Sequence, residues 1–296
     1  MLNDSINALL IIILFFIIGA FSIAYLSSIN TNNKAYSNLW KDFRYEVFTV
    51  SALLIPLYFG NILFLIFLLL FNLHALIEIF NLDKNNSPGL FKLLGILLSS
   101  IIIILVYYSH QLLILPVILF FLYFIISLLV KYKKNELLII TKYLLIITTA
   151  ISSIIIIRQL EDGILLLIFI YLVSETNDAF AMLFGSKLGK NKVFTPISPN
   201  KTLEGLITGI GFALIAGFIF NFYFELFSPL LSVAIIFLII FGAISGDLLF
   251  SSCKRIHNIK DFTPIYKDLN GVLDIYDSFI ISALFFYCYF VITQFL

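Results

Sequence analysis

The chain has 296 residues, of which 61% are hydrophobic and 12% charged, with a formal net charge of +1. A soluble core cannot hide that much apolar surface, so the chain needs lipid as solvent. Near-neutral charge excludes a general nucleic-acid binder, which needs a basic excess to neutralise phosphates.

In chain order, apolar stretches near the roughly 20 residues that span a bilayer lie at about 8–26, 46–80, 92–107, 111–131, 137–157, 163–184, 203–224, 229–251 and 276–295. They predict an all-α, polytopic transmembrane bundle of about nine helices. The first run follows Asp4 and lacks a basic leading segment, so it reads as a retained helix rather than a cleaved signal. The stretch 46–80 is too long for one untilted span, and Pro56 with Gly60 is expected to break it into an elbow and a helix. The two cysteines, Cys253 and Cys288, lack zinc-site spacing and offer no disulfide framework, so two reduced thiols are expected.

Orientation follows from Lys and Arg in short loops. The loop 252–274 holds Lys254, Arg255, Lys260 and Lys267, and alternation puts 185–202 (Lys187, Lys190, Lys192, Lys201) and the turns 131–136 and 81–92 on the same side. The turns opposite, near 108–110, 158–162 and 225–228, contain just Arg158. The basic side is expected to face the cytoplasm. Organisation divides into N-terminal transmembrane helices, 1–160, and a C-terminal region, 161–296, that carries the chemistry and its cytoplasmic loops. Gly185 with Gly189, Gly205 with Gly209 and Gly242 with Gly246 recur at helical spacing, which predicts close helix packing.

Ionisable side chains at membrane depth cost roughly 2.5–3.5 kcal/mol each on insertion scales, so each asks for a reason. Glu175 and Asp178 share one face of the span ending near Gly185. Asp247, Ser251 and Lys254 share a face of a later span, with Arg255 beside them, and Asp274 and Asp277 stand three apart on the last. Carboxylates gathered among cations suit a metal-bound phosphate, because magnesium takes one or two carboxylates plus phosphate oxygens. The bland alternatives are an Asp247–Lys254 ion pair at a helix end, a polar crevice lined by Glu175, and a solvated, acidic helix start at Asp274 and Asp277. Ser198 and Pro199 suit an N-cap and a first turn, so the backbone there with Lys201 and Thr202 is an anion-site candidate. Capping alone leaves Glu204 unexplained. His257 reads as a solvated loop histidine, and no nucleophile triad, P-loop or Cys/His cluster is present.

Two ordered motifs, covering roughly residues 175–280, resemble the membrane phosphatidate cytidylyltransferases, or CDP-diacylglycerol synthases. The later motif is Gly246-Asp247, Ser251, Lys254-Arg255, Lys260-Asp261-Phe262, Gly271, Asp274, Asp277 and Ser278. The earlier one is Asp178, Gly185, Gly189-Lys190, Ser198-Pro199, Lys201-Thr202 and Glu204-Gly205. Where the family pattern has His, Gly and a later Arg, this chain has Leu269, Asn270 and Ile275. Those departures remove a base or donor and a phosphate-binding cation, and suggest a divergent branch.

The resemblance implies CTP-dependent conversion of phosphatidate to CDP-diacylglycerol and pyrophosphate in an integral protein of the bacterial inner membrane. It implies Mg2+ on Asp247 and Asp274, with Asp277 assisting, and leaves open whether K+ joins it. Lys254, Arg255, Lys260, Ser198, Ser251, Lys201 and Thr202 would then act on phosphates, and Asp178, Glu204 and Asp261 would support them. The partners implied are CTP, phosphatidate or a related lipid phosphate, and membrane lipids, without nucleic acid; a homodimer is left open. Three rivals stand beside this reading: a CTP-dependent lipid kinase acting on a polyprenol, an ion-coupled transporter, and a catalytically degenerate paralogue serving assembly.

Overall fold

A computed structural model describes residues 34–82, 89–109, 134–263 and 271–295, together with scattered positions between 6 and 24. The described residues form eight named helices: α1 (Lys34–Phe59), α2 (Asn61–Asn81), α3 (Gly89–Tyr108), α4 (Lys134–Gln159), α5 (Gly163–Leu188), α6 (Leu203–Phe224), α7 (Pro229–Ile256) and α8 (Val272–Phe295). Seven of these, α2 to α8, have stretches long and apolar enough to cross a membrane. The fold is therefore an all-α polytopic bundle of an integral membrane protein, as its composition demands. Of the nine expected stretches, 8–26 and 111–131 fall largely or wholly outside the described residues.

The long stretch 46–80 does divide, but at Gly60 rather than Pro56. Proline sits inside α1, whereas Gly60 has φ of +133°, a backbone state that a side chain would strain. Phe64 restarts the ladder by donating to the Gly60 carbonyl at 3.0 Å. Residues 1–67 and 68–296 form two compact units, and the ionisable residues singled out above fall in the second.

Within the second unit, α5 packs chiefly on α6, and α7 on α8. Helix α4 runs against α3, α5 and α8 and buries Ile147, Ala150, Ile151, Ile154 and Ile157 almost completely. Apolar contact alone gives helices little reason to associate in lipid, so polar groups and close approach supply it. Ser99 of α3 bonds Asn72 Oδ1 of α2 at 2.9 Å and Thr148 Oγ1 of α4 at 2.7 Å. On its outer face α6 leaves Ile207, Ile215, Ile219 and Phe222 exposed, as a lipid-facing surface should.

Two of the glycine pairs, Gly205 with Gly209 and Gly242 with Gly246, mark helix contacts, whereas Gly189 caps α5 and lies against Thr202. A Cβ on Gly205 would meet the Ala181 carbonyl at 2.6 Å, and one on Gly209 would meet the Ala181 Cβ at 2.9 Å, so α5 and α6 touch backbone to backbone. A Cβ on Gly242 would come within 2.7 Å of Ser282 Cα in α8, and one on Gly246 would strike the Asp277 carbonyl. Gly242→Ala is expected to destabilise the detergent-solubilised protein by about 1–3 kcal/mol, read as a lower thermal midpoint. Gly211→Ala, with open space around it, is the matched control and should leave the midpoint in place.

Consecutive antiparallel helices bring the C-terminal ends of α5 and α7 to the same end of the bundle as the N-terminal ends of α6 and α8. The neighbouring acids and bases of the second unit gather at that end.

Candidate active site

Helix α6 opens at Leu203, and its N-cap is Thr202, whose Oγ1 accepts from Gly205 N–H at 3.1 Å. Ser198 is therefore not the cap. The reason is local pairing: Lys192 and Thr202 form an antiparallel bridge, Val193 donates to the Lys201 carbonyl, and Leu203 donates to the Asn191 carbonyl. The chain stays extended through Thr202, and Ser198 and Pro199 lie in the turn before it. Because the Leu203 and Gly205 amides already have partners, Lys201 is the cation this corner offers.

Glu204 faces back to the loop. Its carboxylate accepts from the Lys190 amide at 3.0 Å, from the Asn191 amide at 3.2 Å and from Asn191 Nδ2 at 2.8 Å. The acid that capping could not explain thus closes the loop between α5 and α6.

Asp247, half-buried on α7, pairs with Lys201 through Oδ2 and accepts from Ser251 Oγ at 3.0 Å through Oδ1. The Asp247–Lys254 ion pair, the bland alternative for this helix end, does not form. Lys254 instead reaches Asp274 of α8 at 2.5 Å, because the end of α7 abuts the start of α8. Asp274 spends its second oxygen on the Phe262 amide at 2.8 Å. The buried Phe262 ring lies 5.4 Å from Lys254 Nζ, so the Lys260-Asp261-Phe262 segment is anchored by its aromatic residue while Lys260 and Asp261 stand exposed.

Asp277, buried one turn along α8, lies beside Asp247, Asp178 and Lys254. Asp178 of α5 in turn lies beside Ser278, Asp247 and Lys201, and accepts from Asn177 Nδ2 at 2.9 Å. Glu175 is partly buried one turn before Asp178. Three helices and the loop before α6 thus bring four aspartates and two lysines into one electrostatic neighbourhood.

Arg255, expected to hold phosphate, is used otherwise, and His257 makes a local contact. Arg255 Nε donates to the Ile197 carbonyl and Nη1 to the Ile259 carbonyl, both at 3.1 Å, tying the α5–α6 loop to the end of α7. His257 folds onto its own helix, with Nδ1 2.9 Å from the Cys253 carbonyl. Cys253 and Cys288 are both free thiols, as expected. Leu269 and Asn270 lie outside the described residues; Ile275 sits partly buried on α8.

Sequence reasoning missed Glu78. This nearly inaccessible acid of α2 accepts from Val272 N–H at 2.6 Å and Leu273 N–H at 3.0 Å. The only sequence signal was a lone acid near the end of an otherwise apolar helix.

The order and surroundings of these residues can be set against known proteins. The model of the cytidylyltransferase family matches residues 42–293, most of the chain. The chain belongs to that family. As a cytidylyltransferase-family member it is similar over part of its length to the phosphatidate cytidylyltransferase of Staphylococcus haemolyticus, 40% identical over 120 residues, which are 40% of this chain and 46% of the relative. The enzyme so named from Bacillus subtilis is 37% identical over 127 residues, 42% of this chain and 47% of the relative. That of Staphylococcus aureus is 38% identical over 122 residues, 40% and 46% of the two chains. The matched stretch spans about half the length of these curated relatives.

The donor set at this end of the bundle consists of hard oxygens. No group of three or more acids, histidines or cysteines among the described residues is arranged as a closed metal cage. Magnesium does not need one, because it keeps waters and substrate phosphate oxygens beside one or two carboxylates. Asp247 and Asp274, each held now by a single lysine, fit that requirement.

Proposed function

We propose that this protein is a phosphatidate cytidylyltransferase: a phosphate oxygen of phosphatidate attacks the α-phosphorus of CTP, the bond to pyrophosphate breaks, and CDP-diacylglycerol forms. The observation that carries the reading is the meeting of Asp247–Lys201 and Lys254–Asp274 beside Asp178 and Asp277, in a chain of this family. Alternating carboxylates and lysines at one end of a membrane bundle suit a reaction that joins two polyanions, one soluble and one lipid.

Such a reaction rests on positioning and charge neutralisation more than on covalent chemistry. Lys201 and Lys254 would exchange their aspartates for phosphate oxygens as substrate enters. Asp247 and Asp274, thereby freed, would hold Mg2+, with Asp277 beside them. Magnesium bound there would neutralise the phosphate charge that develops as pyrophosphate leaves. Ser251 and Ser198 would add hydroxyl contacts, while Thr202, Glu204 and Arg255 would keep the α5–α6 loop in place. Asp178 would orient the shell from α5, and the exposed Lys260 and Asp261 would meet the nucleotide from the solvent side.

The basic loops favour placing this end in the cytoplasm, on the inner side of a bacterial cell membrane. CTP would then arrive from water and phosphatidate sideways from the inner leaflet. The test is incubation of the purified, detergent-solubilised protein with CTP, Mg2+ and phosphatidate, scored by mass spectrometry. CDP-diacylglycerol with pyrophosphate is the expected outcome. In a parallel incubation with a polyprenol in place of phosphatidate, release of CDP with the phosphorylated polyprenol would replace this reading with the lipid kinase, and a well-folded protein inactive in both would favour a non-catalytic role.

A further inference from the structure

We propose that Glu78 is a positioning residue of this site: from α2 it holds the first turn of α8 so that Asp274 and Asp277 face their partners. The inference rests on the cytidylyltransferase reading for its kinetic consequence, but its geometric part does not.

The two oxygens of Glu78 take the amides of Val272 and Leu273, at 2.6 and 3.0 Å. Both are unbonded donors of a helix N-terminus, where a carboxylate is favoured by charge as well as by hydrogen bonding. The very next residue is Asp274, whose own amide donates to the Gly271 carbonyl at 3.1 Å. Its carboxylate is split between Lys254 and the Phe262 amide. Glu78 therefore fixes the backbone immediately before the aspartate, and Asp277 follows one turn on.

A capping acid normally comes from the chain just before its helix. Here it comes from 194 residues away, so α2 and α8 are locked at the site itself. A Cβ on Gly271 would lie 2.9 Å from Glu78 Oε1 and 2.6 Å from Phe262 Cβ. The glycine at this point of the motif thus has a reason in this chain: it lets the start of α8 sit directly against the Glu78 carboxylate. Glu78 also lies beside Asp274 and Lys254, the ion pair whose backbone it positions.

The test compares wild type with Glu78→Gln and Glu78→Asp in the full-length, solubilised protein. Glutamine keeps the size but turns an NH2 toward the amides, leaving one of them unmet; aspartate keeps the charge with a shorter reach. Hydrogen exchange of the segment 271–277 should be faster in Glu78→Gln and closer to wild type in Glu78→Asp. In the cytidylyl-transfer assay, kcat should fall about 10- to 100-fold in Glu78→Gln, with KM for CTP little changed and partial recovery in Glu78→Asp.

Exchange equal to wild type in Glu78→Gln, or wild-type turnover in that variant, would overturn the proposal. So would a kcat loss that only tracks loss of folded protein, with no recovery in the aspartate variant. If wild type itself makes no CDP-diacylglycerol, the function proposed above fails, and the exchange comparison still decides whether Glu78 fixes α8.

Discussion

Asp247→Asn is expected to lower formation of CDP-diacylglycerol by about 100-fold or more while the protein remains folded. The substitution is nearly isosteric, and its side-chain oxygen can still accept from Ser251, now 3.0 Å away. Lys201 loses its partner, but its side chain is 20% exposed and can turn to water. What disappears is the negative charge at the point where α7 meets the α5–α6 loop. Removal of one preorganised electrostatic group from a transition state costs on the order of 10²–10³ in rate. The rate should be measured by pyrophosphate release and mass spectrometry alongside a thermal melt. Activity within twofold of wild type in a folded sample would remove Asp247 from the chemistry.

The second large effect is on stability. Lys254→Met should destabilise the fold by about 3–5 kcal/mol, the range for deleting one partner of a buried pair. The side chains of Lys254 and Asp274 are only 11% and 5% exposed, so Asp274 would be left charged, nearly dry and next to Glu78. The double variant Lys254→Met, Asp274→Asn should regain most of that loss and remain inactive. Denaturation in detergent compares the three proteins, and a single variant as stable as wild type would show that the pair is not held in this environment.

The helical spacing of Asp247, Ser251 and Lys254 was legible in the sequence, and so was their common face. Which acid would meet which lysine was not. Spacing along one helix makes Asp247 and Lys254 look like partners, but an ion pair is decided by the neighbouring element. Asp274, at the start of the helix packed against α7, is the acid that Lys254 meets. Ser198 looked like the cap of α6 for the same reason: local preference favours it, and the bridge from Lys192 to Thr202 delays the helix start by four residues.

The elbow in 46–80 was placed between two candidate breakers, and the structure chose the glycine. Proline can remain inside a helix when only its own amide bond is lost, whereas the φ of Gly60 cannot be continued by a helix. Glu78 was illegible on principle. Nothing along α2 announces a partner nearly two hundred residues later, and its hydropathy alone recommends only a membrane span.

The α5–α6 connection has a thermodynamic consequence of its own. Between Gly189 and Thr202 the chain is stapled by Glu204 at one end, by the Lys192–Thr202 bridge along its length and by Arg255 at its turn. Ordering a dozen residues at the moment a ligand arrives would drain its binding free energy. Here the loss of chain entropy is already met during folding, so under the proposed function an anion drawn to Lys201 would meet a loop already tied in place, and little of its affinity would be lost to immobilising it.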